Sequence, residues 1–267
     1  MRGYRKLKIP IMDSHGTSAW PEKFPPSGID ALRDSVGARH FSAQMMLEFV
    51  APDRVRLDPG ALHMYNDEFD ARSARIGEHV ISGLAAYWDP SSGRRKSDGS
   101  VCVLLYRDDR SRRIFVHDIL YLTVSDDNLH PLASQCDKVL DFMSRHGLRR
   151  ITVETNGIGN ALPEIMRDVA TRRGVNIYVH KCVNTKNKET RILDAIEPLL
   201  TSGRLYAHVR IQSSPLMSEM LGWSPLGGGV HDDGIDAVAG AIMSAPVTVR
   251  PLSRAMQSYS ANTNFKI

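Results

Sequence analysis

Short apolar runs alternate with amphipathic stretches along most of this chain. The segments ISGLAAYW (81–88), VCVLLY (101–106) and IFVHDILYLTV (114–124) are rich in β-branched and aromatic residues, and SSGRRKSDG between the first two reads as a turn. They predict three strands. From Pro131 the period changes: Leu132, Cys136, Val139, Leu140 and Met143 recur at helical spacing, and Gly147 supplies a C-cap signal. RRITVE (149–154) predicts a short strand, followed by a helix over 161–173 that stops at Gly174. VNIYVH (175–180) predicts another strand and 188–201 a helix. The last clear element is a helix over 232–244 with Ile235, Val238, Ala239 and Ile242 on one face.

The order β-β-β-α-β-α-β-α…α gives an α/β fold class. An antiparallel meander is extended by parallel strands into a mixed central sheet flanked by helices. Upstream the texture differs. Residues 1–77 begin with Pro10, Pro21, Pro25 and Pro26, and a helical pattern over 27–49 carries Ile29, Leu32, Val36, Phe41, Met45, Met46 and Phe49. Irregular, charged sequence then runs past Pro52 and Pro59 to Gly77. The expected organisation is a linker or extension over 1–77, a folded domain over 78–246 and a basic tail over 247–267.

Composition narrows the class. With 267 residues, 42% hydrophobic and 24% charged, the chain can bury a sizeable core and is not disordered throughout. No stretch approaches the ~20 apolar residues of a membrane span. The opening MRGYRKLKIP lacks a secretory apolar segment, which argues against export. Cys102, Cys136 and Cys182 are scattered, with no CxxC, which favours a reducing compartment over a disulfide framework or structural zinc. No GxxxxGK[ST] phosphate loop occurs. The net charge of +4 resides at the ends: Arg2, Arg5, Lys6 and Lys8 at one, Arg250, Arg254 and Lys266 at the other. Without those seven the middle stands at −3, so a polyanionic partner is only weakly indicated by charge.

Carboxylates mark the candidate chemistry. Asp89 ends the first apolar strand, Glu154 ends the strand after the first helix, and Asp232, Asp233 and Asp236 open the last helix. In a mixed sheet the first and fourth strands can be neighbours, which places Asp89 beside Glu154. Crowded carboxylates at the edge of a core repel and resist desolvation unless a cation neutralises them, and all-oxygen ligands suit Mg²⁺ or Mn²⁺. Taken singly, Asp89 also reads as a turn residue, Asp232 or Asp233 as a helix N-cap, and Glu154 as a solvated loop acid.

Four segments in order, AYWDPSSGRRKSDGS, ITVETNGIGN, NKETRILDAIEPLLTSGRLY and HDDGIDAVAGA, resemble the nuclease domain of phage terminase large subunits over about residues 80–245. The resemblance implies a ribonuclease H-like fold related to the Holliday-junction resolvases. By position it implies that Asp89, Glu154 and Asp233 are catalytic metal ligands, with Asp236 a further acid. Asp98 matches a hairpin Asp that assists a metal or simply forms the turn. Lys186, Lys188 and Arg191 stand where the family has basic residues before and on a helix, and read either as contacts for DNA phosphates or as a plain solvated helix face. His231 reads as a local hydrogen-bonding partner, with a position near a metal as the alternative.

The activity so implied is a Mg²⁺- or Mn²⁺-dependent endonuclease that cuts double-stranded viral DNA during genome packaging, with little sequence specificity. In a two-metal scheme the ions lie about 3.5–4 Å apart; Asp89 bridges them, Glu154 holds one and Asp233, helped by Asp236, the other. The implied partners are DNA, the terminase ATPase domain, the small terminase subunit and the portal, in the host bacterial cytoplasm and with no membrane involved. The family's ATPase domain has no counterpart in this sequence, so ATP-driven work is not expected of this chain alone. The alternatives are a packaging-motor docking module with latent cleavage, using the 246–267 tail with Tyr259 and Phe265, and a stand-alone Holliday-junction resolvase.

Overall fold

Strands buried on both faces build the centre of the fold. A computed structural model describes residues 8–13, 16–36, 41–47, 57–91, 99–125, 128–225 and 231–252. In chain order the helices are α1 (Pro26–Val36), α2 (Pro131–Arg145), α3 (Leu162–Arg172), α4 (Lys188–Thr201), α5 (Pro215–Gly222) and α6 (Asp233–Met243). The strands are β1 (His63–Tyr65), β2 (Phe69–Asp70), β3 (Arg75–Ile76), β4 (His79–Val80), β5 (Gly83–Asp89), β6 (Ser100–Asp108), β7 (Arg113–Leu122), β8 (Arg150–Glu154), β9 (Tyr178–Cys182), β10 (Leu205–His208) and β11 (Val247–Thr248).

The main sheet runs β1-β10-β7-β6-β5-β8-β9. The β5–β6–β7 meander is antiparallel, and β8 joins β5 in parallel through Tyr87↔Thr152 and Trp88↔Val153. The expected juxtaposition of the first and fourth strands is therefore present. β11 pairs antiparallel with the other end of β5, at Gly83 and Leu84. Residues 253–267, which include Tyr259 and Phe265 of the basic tail, lie outside the described residues.

Alternate side chains feed two cores, as the strand pleat requires. Ala85, Tyr87, Val101, Val103 and Leu105 pack with Ile192 and Ile196 of α4, Leu216 and Met220 of α5, and Ile235 and Val238 of α6. Ala86, Trp88, Cys102, Leu104 and Tyr106 face the other way, onto Val139 and Met143 of α2 and Met166 and Val169 of α3. Gly147 (φ 63°) and Gly174 (φ 65°) follow α2 and α3 in the left-handed region, a conformation a side chain disfavours, so both predicted stops are borne out.

Three differences from the sequence reading stand out. Among the described residues, helical spacing over 27–49 yields α1 and a π-type turn over Phe41–Met45. Ile11, Ile29 and Phe41 share one small cluster with Met45 and Met46, so the periodicity reports a common buried face rather than one helix. His63–Tyr65, in the stretch read as irregular, pairs in parallel with β10 and joins the main sheet. The strand read at 175–180 lies at Tyr178–Cys182, where it matches β8 residue for residue from Arg150 to Glu154.

Candidate active site

Strand ends and one helix N-terminus bring the acids together. Asp89 and Glu154 each lie one residue beyond a paired position of β5 and β8, at the same end of the sheet. Asp233 and Asp236 occupy the first turn of α6, whose body packs on β5 through Gly240. A Cβ at Gly240 would lie 2.5 Å from the Tyr87 ring, so this close approach requires glycine.

Glu154 is buried and its orientation is fixed. Oε2 accepts from Tyr87 Oη at 2.6 Å and from Asn184 Nδ2 at 2.7 Å. Asn184 is itself held by Asn156, which accepts its backbone N–H at 3.1 Å and donates to its carbonyl at 2.7 Å. Oε1 faces Arg191 Nη1 at 4.0 Å.

Arg191 lies inside the acidic cluster, 6% exposed. Its Nη2 donates to both Asp236 oxygens at 2.6 Å, and Nε reaches Oδ1 at 2.8 Å. It is therefore a buried partner of the acids. Lys188 Nζ lies 2.6 Å from Asp232, 3.7 Å from Asp236 and 4.0 Å from Asp233. Lys186 is more exposed and stands 4.0 Å from Asp194. Asp233 Oδ2 accepts from the Gly99 amide at 2.7 Å, with the exposed His231 Nδ1 at 3.8 Å. Asp98 lies outside the described residues. Asp232 takes the N-cap position of α6 without a capping bond from its side chain.

The electrostatics follow from crowding. Burial, then Glu154 and Asp236, push the Asp89 carboxyl up to about 8, against the pull of Lys188 and Arg191. Burial raises Asp236 as well, although its bonds to Arg191 oppose this. Lys188 moves up despite burial, because Asp232 and Asp236 hold its charged form. Behind α6, burial pushes Glu219 of α5 up to about 7 while the Ile235 N–H holds it at 3.1 Å.

Among the described residues, no three of Asp89, Glu154, Asp233 and Asp236 bring ligand oxygens within 4.8 Å of one another. The trio that does is Glu68, His117 and His208, at the far side of β7. His117 is the extra residue of a β-bulge between the pairs Leu104↔Asp118 and Leu105↔Val116, and His208 ends β10. That group already holds a cation of the protein. His208 Nδ1 accepts from Arg210 N at 3.1 Å and Nε at 3.0 Å, which leaves the ring proton on Nε2. The Arg210 guanidinium also bonds Glu68, so the cluster is an ion network tying the segment after β1 to the sheet.

Sequence reasoning missed Tyr87, Asn184 and Glu219. Tyr87 stands two residues before Asp89, on the same side of the pleat, and that spacing could have found it. Asn184 and Glu219 left no comparable signal.

Residues 98–205 match the family model of the bacteriophage T7 terminase ribonuclease H-like domain. No curated protein sequence gives a significant match. Among solved structures the chain is similar to the P22 large terminase nuclease domain, with 12% identity, 71% of this chain and 91% of that one covered, and a TM-score of 0.48. It is also similar to the human cytomegalovirus terminase nuclease domain, with 14% identity, 60% and 82% covered, and a TM-score of 0.43. A third is the nuclease domain of the bacteriophage SPP1 large terminase with bound Mn, with 16% identity, 72% and 97% covered, and a TM-score of 0.43. The family model spans the second of the four sequence segments and nearly all of the third, and with the observed sheet order it supports the resemblance: this chain resembles the nuclease domains of terminase large subunits and has their ribonuclease H-like fold.

Proposed function

We propose that this chain is a divalent-metal-dependent endonuclease that cuts double-stranded DNA during viral genome packaging. The observation that carries the reading is the convergence of Asp89, Glu154 and Asp236 from two strand ends and a helix, around an Asp89 carboxyl held near 8. Even with Arg191 and Lys188 beside it, Asp89 resists ionisation, so the full set of carboxylates calls for further positive charge. Its donors are all oxygen, which suits Mg²⁺ or Mn²⁺.

Asp89, Glu154 and Asp233 are assigned as ligands for two ions. Tyr87 and Asn184 occupy Oε2 of Glu154, which turns Oε1 toward the cluster. Asp236 acts through Arg191: the pair places the guanidinium against Glu154 and neutralises the acids before loading. Divalent ions bound to these oxygens would supply the Lewis acidity and the activated water that phosphodiester hydrolysis needs. Asp89 must give up a proton as they enter. Lys188 lies beside the acids and the exposed Lys186 precedes it in the chain, a pair suited to an approaching phosphate, and phosphate contacts carry no base sequence. Action alongside the terminase ATPase domain, small subunit and portal, in the host cytoplasm, belongs to the same reading.

The test is plasmid nicking by the purified chain with Mg²⁺, Mn²⁺ or chelator, wild type against Asp89→Ala. Metal-dependent nicking by wild type, lowered about 100-fold or more in the variant, is expected if a metal ligand is lost. Undiminished cutting by D89A overturns the assignment.

A further inference from the structure

The helix that carries Asp233 and Asp236 lacks a cap of its own. Asp232 stands at the N-cap position, but its side chain makes no capping bond and its Oδ1 faces Lys188 at 2.6 Å instead. The first amides of a helix need acceptors, and buried amides left without one are costly. Here the acceptor comes from another helix. Glu219, 4% exposed on α5, accepts the Ile235 N–H at 3.1 Å and also bonds the Gly234 amide. These are the third and second residues of α6, the amides an N-cap side chain would ordinarily take.

Space at this junction is fitted to that carboxylate. A Cβ on Gly234 would lie 2.7 Å from Glu219 Oε2 and 1.9 Å from Tyr121 Oη, so only glycine lets the two side chains reach the helix end. Asp233 is thus held from both sides: its backbone by the capped turn, and its Oδ2 by the Gly99 amide at 2.7 Å.

We propose that Glu219 is a positioning residue for the acidic site: by capping α6 in trans it sets the height and rotation at which Asp233 and Asp236 face Asp89 and Glu154. The proposal rests on the reading of that site as a metal-dependent nuclease. Fixing a ligand through its backbone is the role an outer-shell partner plays at a metal site, and loss of such a partner weakens metal binding about 10–100-fold.

The experiment uses the full chain. Mn²⁺ affinity is measured by titration calorimetry and plasmid nicking by initial rates for wild type, Glu219→Gln, Glu219→Met and Asp89→Asn, with circular dichroism as the check on folding. Glu219→Met, close in size but without an acceptor, is expected to bind Mn²⁺ at least about tenfold more weakly and to lower kcat while KM for DNA stays within about twofold. Glu219→Gln keeps a carbonyl acceptor and is expected to restore both to near wild type. A merely structural role would lower melting temperature without this split and without the Gln rescue. If Glu219→Met fails to fold, Gly234→Ala, which crowds the same carboxylate from the helix side, carries the same expectation. Wild-type Mn²⁺ affinity in E219M, or equal defects in E219M and E219Q, overturns the positioning role. Failure of wild type to bind Mn²⁺, or equal binding by D89N, overturns the nuclease reading on which it stands.

Discussion

The Asp89 carboxyl shows how one residue reports on the whole site. Its ordinary pKa of 3.8 is raised to about 8 by burial and by Glu154 and Asp236. Between those values the folded, metal-free chain holds a proton that the unfolded chain has lost. Stability therefore falls as pH rises from about 4 to 8, by at most about 1.4 kcal/mol per pH unit. Asp89→Asn removes this linkage. In chelator, the variant is expected to melt above wild type at pH 8, and the gap should close toward pH 4. Thermal melts at the two pH values check this; a gap of equal size at both would show that Asp89 is not the group under strain. Of the residues proposed for the site, Asp89, Glu154, Asp233 and Asp236 were legible because each ends or opens a periodic element. The roles of Arg191 and Lys188 were not, because their helix reads as an ordinary amphipathic surface and only the fold turns them onto acids 45 to 48 positions away.

Elements place these residues through close packing. α6 lies on β5 with Gly240 against the Tyr87 ring, and the same Tyr87 donates to Glu154. Gly240→Ala puts a methyl where the ring stands, so the helix or the ring must shift. A loss of about 1–3 kcal/mol is expected, with nicking reduced more than the stability loss explains, because Tyr87 and α6 both hold site acids. Denaturant unfolding beside the nicking assay checks this; a stable, fully active G240A would show that the contact does not set the site. The meander and the helices α2, α3 and α4 were readable because their patterns are long and end on glycine stops or turn residues. The strands β1 and β10, of three and four residues, and the eight-residue α5 are too short for periodicity to separate from loop. Glu219 was hidden for that reason: its meaning depends on an element the pattern does not reveal and on a partner 16 residues away.

At the scale of the molecule, charge and chemistry are separated. The positive excess lies toward the ends of the sequence, while Asp89 and Glu154 end the neighbouring strands β5 and β8 and Asp233 and Asp236 open the helix packed on β5. The described residues include no helix long and apolar enough to cross a membrane. A second set of metal-type side chains, Glu68, His117 and His208, lies across the sheet and competes on distance alone. There Arg210 already bonds His208 Nδ1 and Glu68, and Tyr65 pairs with His117 Nδ1, whereas the acid site combines oxygen ligands with a carboxyl that resists ionisation. The most direct discrimination is a crystal of the full chain soaked in Mn²⁺ and measured at the manganese absorption edge. Anomalous peaks beside Asp89, Glu154 and Asp233 are predicted; peaks only beside His117 and His208, or none at the four acids, would contradict the account.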